Sequence, residues 1–138
     1  MSGVRGVRVG IYTRSAYADP PLNSDESLPR QLHACRDHVR SMAHLGWRLA
    51  PLDIYEDMAI SGATLKRPAL QRLLTALDQH AYEVVVVHRL DRVGLKIADV
   101  EAVVARIHRA GATLLALGVG DSVSPKVKSA LSRLRRTL

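Results

Sequence analysis

Three arginines, Arg14, Arg67 and Arg92, each sit in a short polar cluster that follows an apolar stretch. The clusters read Tyr12-Thr13-Arg14-Ser15-Ala16, then Glu56-Asp57-Met58-Ala59-Ile60-Ser61-Gly62 with Lys66-Arg67-Pro68 behind it, and His88-Arg89-Leu90-Asp91-Arg92-Val93-Gly94. A guanidinium presents a planar fork of donors that matches the two-oxygen edge of a phosphate. Three such forks on one rim make an oxyanion site. Each arginine alone is an ordinary surface charge, so the chemistry depends on whether the chain brings the three together.

The elements needed for that are legible. Val7, Val9 and Ile11 alternate with Arg8, Gly10 and Tyr12, which predicts a first strand ending at Thr13 or Arg14. After a loop with Pro20-Pro21 and Asn23, Ser24 or Ser27 caps a helix with Leu28, Leu32, Cys35, Val39 and Met42 on its apolar face, ended by Gly46. Pro29 is tolerated in its first turn. Arg48 to Tyr55 reads as a second strand, weakened by Pro51, and Asp57 to Lys66 as a polar loop. Pro68 opens a helix carrying Leu70, Leu73, Leu74 and Leu77. Val84 to Val87 has the β-branched composition of a strand covered on both faces. Ile97, Val100, Val103, Val104 and Ile107 mark a third helix stopped by Gly111, and Ala112 to Leu117 a last strand.

Strands separated by helices require crossover connections. The expected fold is therefore α/β: a single three-layer domain with a mainly parallel sheet of four to five strands flanked by helices. Ligands of such sheets gather at the carboxyl ends of the strands, where all three arginine clusters fall.

Composition narrows the function. Across 138 residues, 20 Lys+Arg face 13 Asp+Glu, a formal charge of +7, and sixteen of the twenty cations are Arg. That excess points toward nucleic acid, but a genome rich in Arg codons gives a similar count, so charge alone decides little. No apolar run exceeds four residues, too short to cross a bilayer, and Met1 to Arg5 lacks the apolar segment of a secretory signal. A lone Cys35 forms no internal disulfide and lies on an apolar helix face. A cytoplasmic protein without membrane contact is expected. His33, His38 and His44 miss the i, i+4 spacing of a helical metal pair, and no glycine-rich phosphate cradle is present, so neither metal nor cofactor is expected. Trp47 and four tyrosines, with no Phe, form no base-stacking platform.

Five ordered pieces then point to a family. Tyr12-x-Arg14, Ser27-Leu28-x-x-Gln31, Asp57 with Ser61-Gly62, Arg67-Pro68-x-Leu70 and Leu90-Asp91-Arg92 together resemble the catalytic domain of serine recombinases: resolvases, invertases and large serine integrases. The resemblance runs from about Val7 to Leu117. It implies metal-free cutting of DNA through a 5′-phosphoserine, in which clustered arginines stabilise the pentacovalent phosphate. By the same resemblance Arg14, Arg67 and Arg92 grip the scissile phosphate, with Gln31 nearby. Asp91 orients an arginine or assists the leaving oxygen, and Ser61 supports the pocket.

The departures are equally specific. The family's nucleophile stands two residues after the strand-end arginine, where this chain has Ala16; Ser15 is one step out of register and, on an extended strand, faces away from Arg14. The family also has an arginine three residues after the Asp-Arg pair, where this chain has Leu95 followed by Lys96. These losses imply a serine-recombinase-like domain that is catalytically inactive and acts by binding DNA or a protein partner. An active recombinase using Ser15 and a dimeric protein-interaction module are the alternatives.

Residues 1–120 are expected to form the catalytic-type domain. Residues 121–138 are expected to form a short basic helix in which Val127, Ala130, Leu131, Leu134 and Leu138 make one stripe, with no separate DNA-binding domain. That stripe offers a homodimer contact or association with another recombinase.

Overall fold

The computed structural model describes residues 6–24, 26–61 and 66–118. Its strands are β1 (Val7–Arg14), β2 (Trp47–Arg48), β3 (Ile54–Asp57), β4 (Val84–Val87) and β5 (Thr113–Ala116). Its α-helices are α1 (Leu28–Ser41), α2 (Pro68–Asp78) and α3 (Ile97–Arg109). All strand pairs are parallel. β1 is central: β4 lies on one side with β5 beyond it, while β2 and β3 both pair with the other side.

The period-2 alternation of β1 and β4 divides the core in two. Val9, Ile11 and Val86 face α1, where they bury Cys35 and Val39. Tyr12, Val85 and Val87 face α2 and α3, packing with Leu70, Leu73, Leu77, Val100, Val104 and Ile107. The result is the expected three-layer α/β domain, with five strands among the described residues. Gly10 lies on the second face, where a Cβ would stand 3.3 Å from the Tyr82 ring, so glycine leaves room for that ring close against the strand.

Three expectations need correction. The expected strand Arg48–Tyr55 is two strands. Between the pairs Arg8↔Arg48 and Ile11↔Ile54, β1 uses residues 9–10 while the edge chain uses residues 49–53. Those extra residues hold a 3-10 turn at Pro51–Asp53, because Pro51 lacks the N–H a ladder needs. The Asp53 carboxylate then fixes the turn, accepting from the Ala50 amide at 3.1 Å and the Tyr82 hydroxyl at 2.8 Å.

Second, α1 ends at Ser41 rather than at Gly46, with Met42 as its C-cap. A further 3-10 turn at Ala43–Leu45 intervenes, and Gly46, at φ 87°, takes the left-handed position that closes it. Third, Asp57 is the buried last residue of β3 rather than the start of a loop. The expected C-terminal helix, with its apolar stripe, lies outside the described residues.

Candidate anion site at the strand ends

β1 outruns β4: its last paired residue on that side is Tyr12, opposite Val87, while on the other side Arg14 still pairs with Asp57. The main chain of Arg14 therefore needs partners from elsewhere. Gln31, fully buried on α1, supplies them: its Oε1 accepts from the Arg14 amide at 3.1 Å and its Nε2 donates to the Arg14 carbonyl at 2.9 Å. A side-chain amide thus continues the sheet by one residue and fixes the direction in which Arg14 leaves it.

The guanidinium of Arg14, 2% exposed, crosses to the 3-10 turn Leu90–Arg92 after β4. It donates from Nε to the Arg92 carbonyl at 3.2 Å, from Nη2 to the Asp91 carbonyl at 3.0 Å and from Nη1 to the Ile60 carbonyl at 3.1 Å. Arg67, the residue before α2, meets the same turn. Its Nη1 donates to the Arg92 carbonyl at 2.7 Å and to the Tyr12 hydroxyl at 3.2 Å, and its Nη2 donates to the Val93 carbonyl. Its buried Nε has no partner among the described residues. Two guanidinium groups converging on one carbonyl explain why Arg92 sits where it does.

Arg92 returns the contact, donating from Nη1 to the Arg14 carbonyl at 2.9 Å and from Nε to Asp91 at 3.0 Å. The same Nη1 lies 2.7 Å from a Glu26 carboxylate oxygen. The three arginines singled out in the sequence are therefore brought together, with Asp91 and Gln31 among them. Arg14 donates to main-chain carbonyls and Arg67 to main-chain carbonyls and the Tyr12 hydroxyl, whereas Arg92 also reaches a carboxylate from the loop before α1.

Electrostatics follow from this crowding. Burial, then the neighbouring charges of Arg92 and Arg67, pulls the pKa of Arg14 down to about 10, which leaves it a cation at neutral pH. Burial opposes the Arg92 charge too, but the hydrogen bond and charge of Asp91, with Glu26, more than offset it, and its pKa is raised. Tyr12 is raised by burial, with Asp57 adding and Arg67 opposing.

Asp57 holds the frame. α2 begins at Pro68 after Arg67, which offers no capping side chain. Asp57 serves instead, from the end of β3: it accepts the Ala69 amide at 2.9 Å, the Leu70 amide at 3.1 Å and the Tyr12 hydroxyl at 2.8 Å. A carboxylate at a helix N-terminus satisfies free amides and complements the helix dipole.

Ser15 and Ala16 lie on opposite terms with solvent. Ser15 is fully buried, its Oγ donating to the Tyr17 carbonyl at 2.8 Å and accepting from the Tyr17 amide at 3.2 Å. Ala16 is exposed, and its amide donates to Glu26 Oε1 at 2.7 Å. Ser61 is exposed. Leu95 is half-buried and Lys96 exposed, the latter as N-cap of α3. Among the described residues, no group of three or more His, Cys, Asp or Glu side chains is placed to hold a metal ion.

Two residues escaped the sequence reading as to role. Asp57 was visible only as a motif letter; the signal for its role is a helix opened by proline with no capping side chain of its own. Glu26 carried no signal, because its partners lie ten and sixty-six residues away.

Comparison with known proteins agrees with this geometry. The family model for "Resolvase, N terminal domain" matches residues 9–137, and the chain belongs to that family. Among solved structures it is similar to the N-terminal catalytic domain of TP901-1 integrase, at 26% identity and TM-score 0.66, covering 94% of this chain and 97% of that one. It also resembles the C-terminal catalytic domain of ISC1926 TnpA, an IS607-like serine recombinase, at 20% identity and TM-score 0.67, covering 93% and 81%. A resolvase family site-specific recombinase from Streptococcus pneumoniae matches at 20% identity and TM-score 0.59, covering 95% and 89%. The last two speak to fold alone. No curated protein matches the chain. Among the described residues no helix is long and apolar enough to cross a membrane.

Proposed function

We propose that this chain is a serine-recombinase catalytic domain that does not cut DNA and acts by binding it. Duplex phosphate meets the strand-end rim at Arg92, which Arg14, Arg67, Asp91 and Gln31 hold in place. The bound form associates with a second copy or with an active recombinase, through the apolar stripe Val127, Ala130, Leu131, Leu134 and Leu138 of the basic segment 121–138, beyond the domain of residues 1–120.

One observation carries the reading. The family's cleavage joins a serine oxygen to phosphorus and breaks the bond to the leaving 3′ oxygen. Here residue 16 is alanine, and the neighbouring hydroxyl of Ser15 is buried and held by the Tyr17 main chain at both donor and acceptor. Leu95, where the family has a further arginine, supports the same conclusion. Ala16→Ser alone is accordingly insufficient to restore cutting.

The test is covalent trapping. The unmodified chain and Ala16→Ser are incubated with a pool of duplex sequences, denatured, and searched by tandem mass spectrometry for a nucleotide-bearing serine. No adduct is expected from the unmodified chain, and a phosphonucleotide on the Ser15 peptide that disappears in Ser15→Ala would instead establish an active enzyme.

A further inference from the structure

The Arg92 guanidinium and the Ala16 amide are the two donors that converge at the mouth of the site, and one carboxylate already bridges them. Glu26 Oε1 accepts from the Ala16 amide at 2.7 Å, and Oε2 lies 2.7 Å from Arg92 Nη1. Arg92 is 2% exposed and the Glu26 side chain 19%, so the contact faces the outside of the rim while its cationic partner is buried. Neighbouring hydrogen bonds fix where Glu26 leaves the main chain. The Ser27 amide donates to the Ser24 carbonyl at 3.1 Å, and the Glu26 amide to Ser24 Oγ at 3.2 Å. Ser27 Oγ then caps α1 by accepting from the Arg30 amide at 3.3 Å. Glu26 is thus delivered to the rim from a turn tied directly to a helix start.

A carboxylate and a phosphate present the same kind of two-oxygen edge to a guanidinium and a backbone N–H. We propose that Glu26 is a built-in stand-in for phosphate: it occupies the anion position between Arg92 and the Ala16 amide, and an incoming phosphate must displace it. The inference rests on the DNA-binding reading for the source of that phosphate, but not for the existence of the anion position. It makes the site self-blocked in the free chain, so that loose polyanions are rejected. Binding then requires a phosphate held in place by further contacts, as a duplex backbone is.

The experiment compares the unmodified chain, Glu26→Gln and, as a control for the loss of one negative charge, Glu101→Gln on the exposed face of α3. Each is titrated with a short fluorescein-labelled duplex by anisotropy and with inorganic phosphate by the amide shift of Ala16. Removing a competitor that makes two charge-assisted hydrogen bonds is expected to tighten both by roughly tenfold or more in Glu26→Gln, with Glu101→Gln near the unmodified chain. Equal duplex and phosphate affinities for Glu26→Gln and Glu101→Gln would overturn the plug while leaving DNA binding standing if the duplex still binds. A tightened phosphate response in Glu26→Gln with no duplex binding by any variant would keep the plug and overturn the DNA reading. No response to either ligand in Glu26→Gln would overturn both.

Discussion

Replacing Asp57 tests whether the strand-end site is held by the carboxylate that links β3, α2 and Tyr12. Asp57→Ala removes acceptors from the amides of Ala69 and Leu70, at 2.9 and 3.1 Å, and from the Tyr12 hydroxyl at 2.8 Å, all in a region where Asp57 itself is 3% exposed. Loss of a helix cap costs about 1 kcal/mol. Each buried polar group left without a partner costs about 1–3 kcal/mol more. Water enters a 3% exposed site poorly, so the expected loss is about 3–5 kcal/mol, a large part of a domain's total stability. Asp57→Asn keeps one oxygen acceptor and the side chain's volume, and falls between the two.

The assay is urea unfolding followed by far-UV circular dichroism. With a slope of about 2 kcal/mol per M, the midpoint of Asp57→Ala drops by roughly 2 M and the slope stays constant. A midpoint within about 0.25 M of the unmodified chain, equivalent to about 0.5 kcal/mol, would refute the claim that this carboxylate holds the frame.

Three further outcomes follow from the same geometry. Gln31→Ala strands the Arg14 amide and leaves the Arg14 carbonyl to Arg92 alone, and is expected to cost about 1–3 kcal/mol in the same unfolding assay, whereas a near-neutral result would deny its role as an extension of the sheet. Cys35, fully buried with its pKa pushed up to about 12 by burial, is expected to resist Ellman's reagent at pH 8 except at the rate of opening; immediate stoichiometric reaction would contradict its placement.

The third concerns pH. The hydrogen bond from Arg106 holds the exposed Asp78 carboxyl below its ordinary value, so its folded pKa lies under the unfolded one. The pair's contribution is present at neutral pH and is lost as pH falls through the lowered folded value, below about 4. The stability difference between the unmodified chain and Arg106→Gln should therefore shrink in acid and in high salt. A difference unchanged by either would exclude an ion-pair origin.

Much of the scaffold was readable because it rests on local periodicity. The alternation of Val7 to Ile11, the four valines of β4 and the leucines after Pro68 each determine an element by the face they bury, and β1 and β4 end where expected. The edge of the sheet was not readable in the same way. Leu49 to Asp53 look like strand residues, but the missing N–H of Pro51 and the acceptors of Asp53 turn them out of the ladder. Convergence of Arg14, Arg67 and Arg92 followed from placing all three at carboxyl ends of parallel strands. What each guanidinium touches did not follow, since carbonyls of residues 60 and 91–93 leave no trace in side-chain types. Glu26 lay deepest in that blind spot: only the path of the loop before α1 brings its carboxylate to Arg92.

The central claim is that the rim still meets DNA phosphate. Its most direct test is duplex binding by fluorescence anisotropy from about 50 to 200 mM salt, for the unmodified chain and for an Arg92→Ala variant shown to be folded. The account predicts affinity that falls steeply with salt and is weaker in Arg92→Ala throughout. Absence of binding at the lowest salt, or binding that Arg92→Ala leaves unchanged, would contradict it.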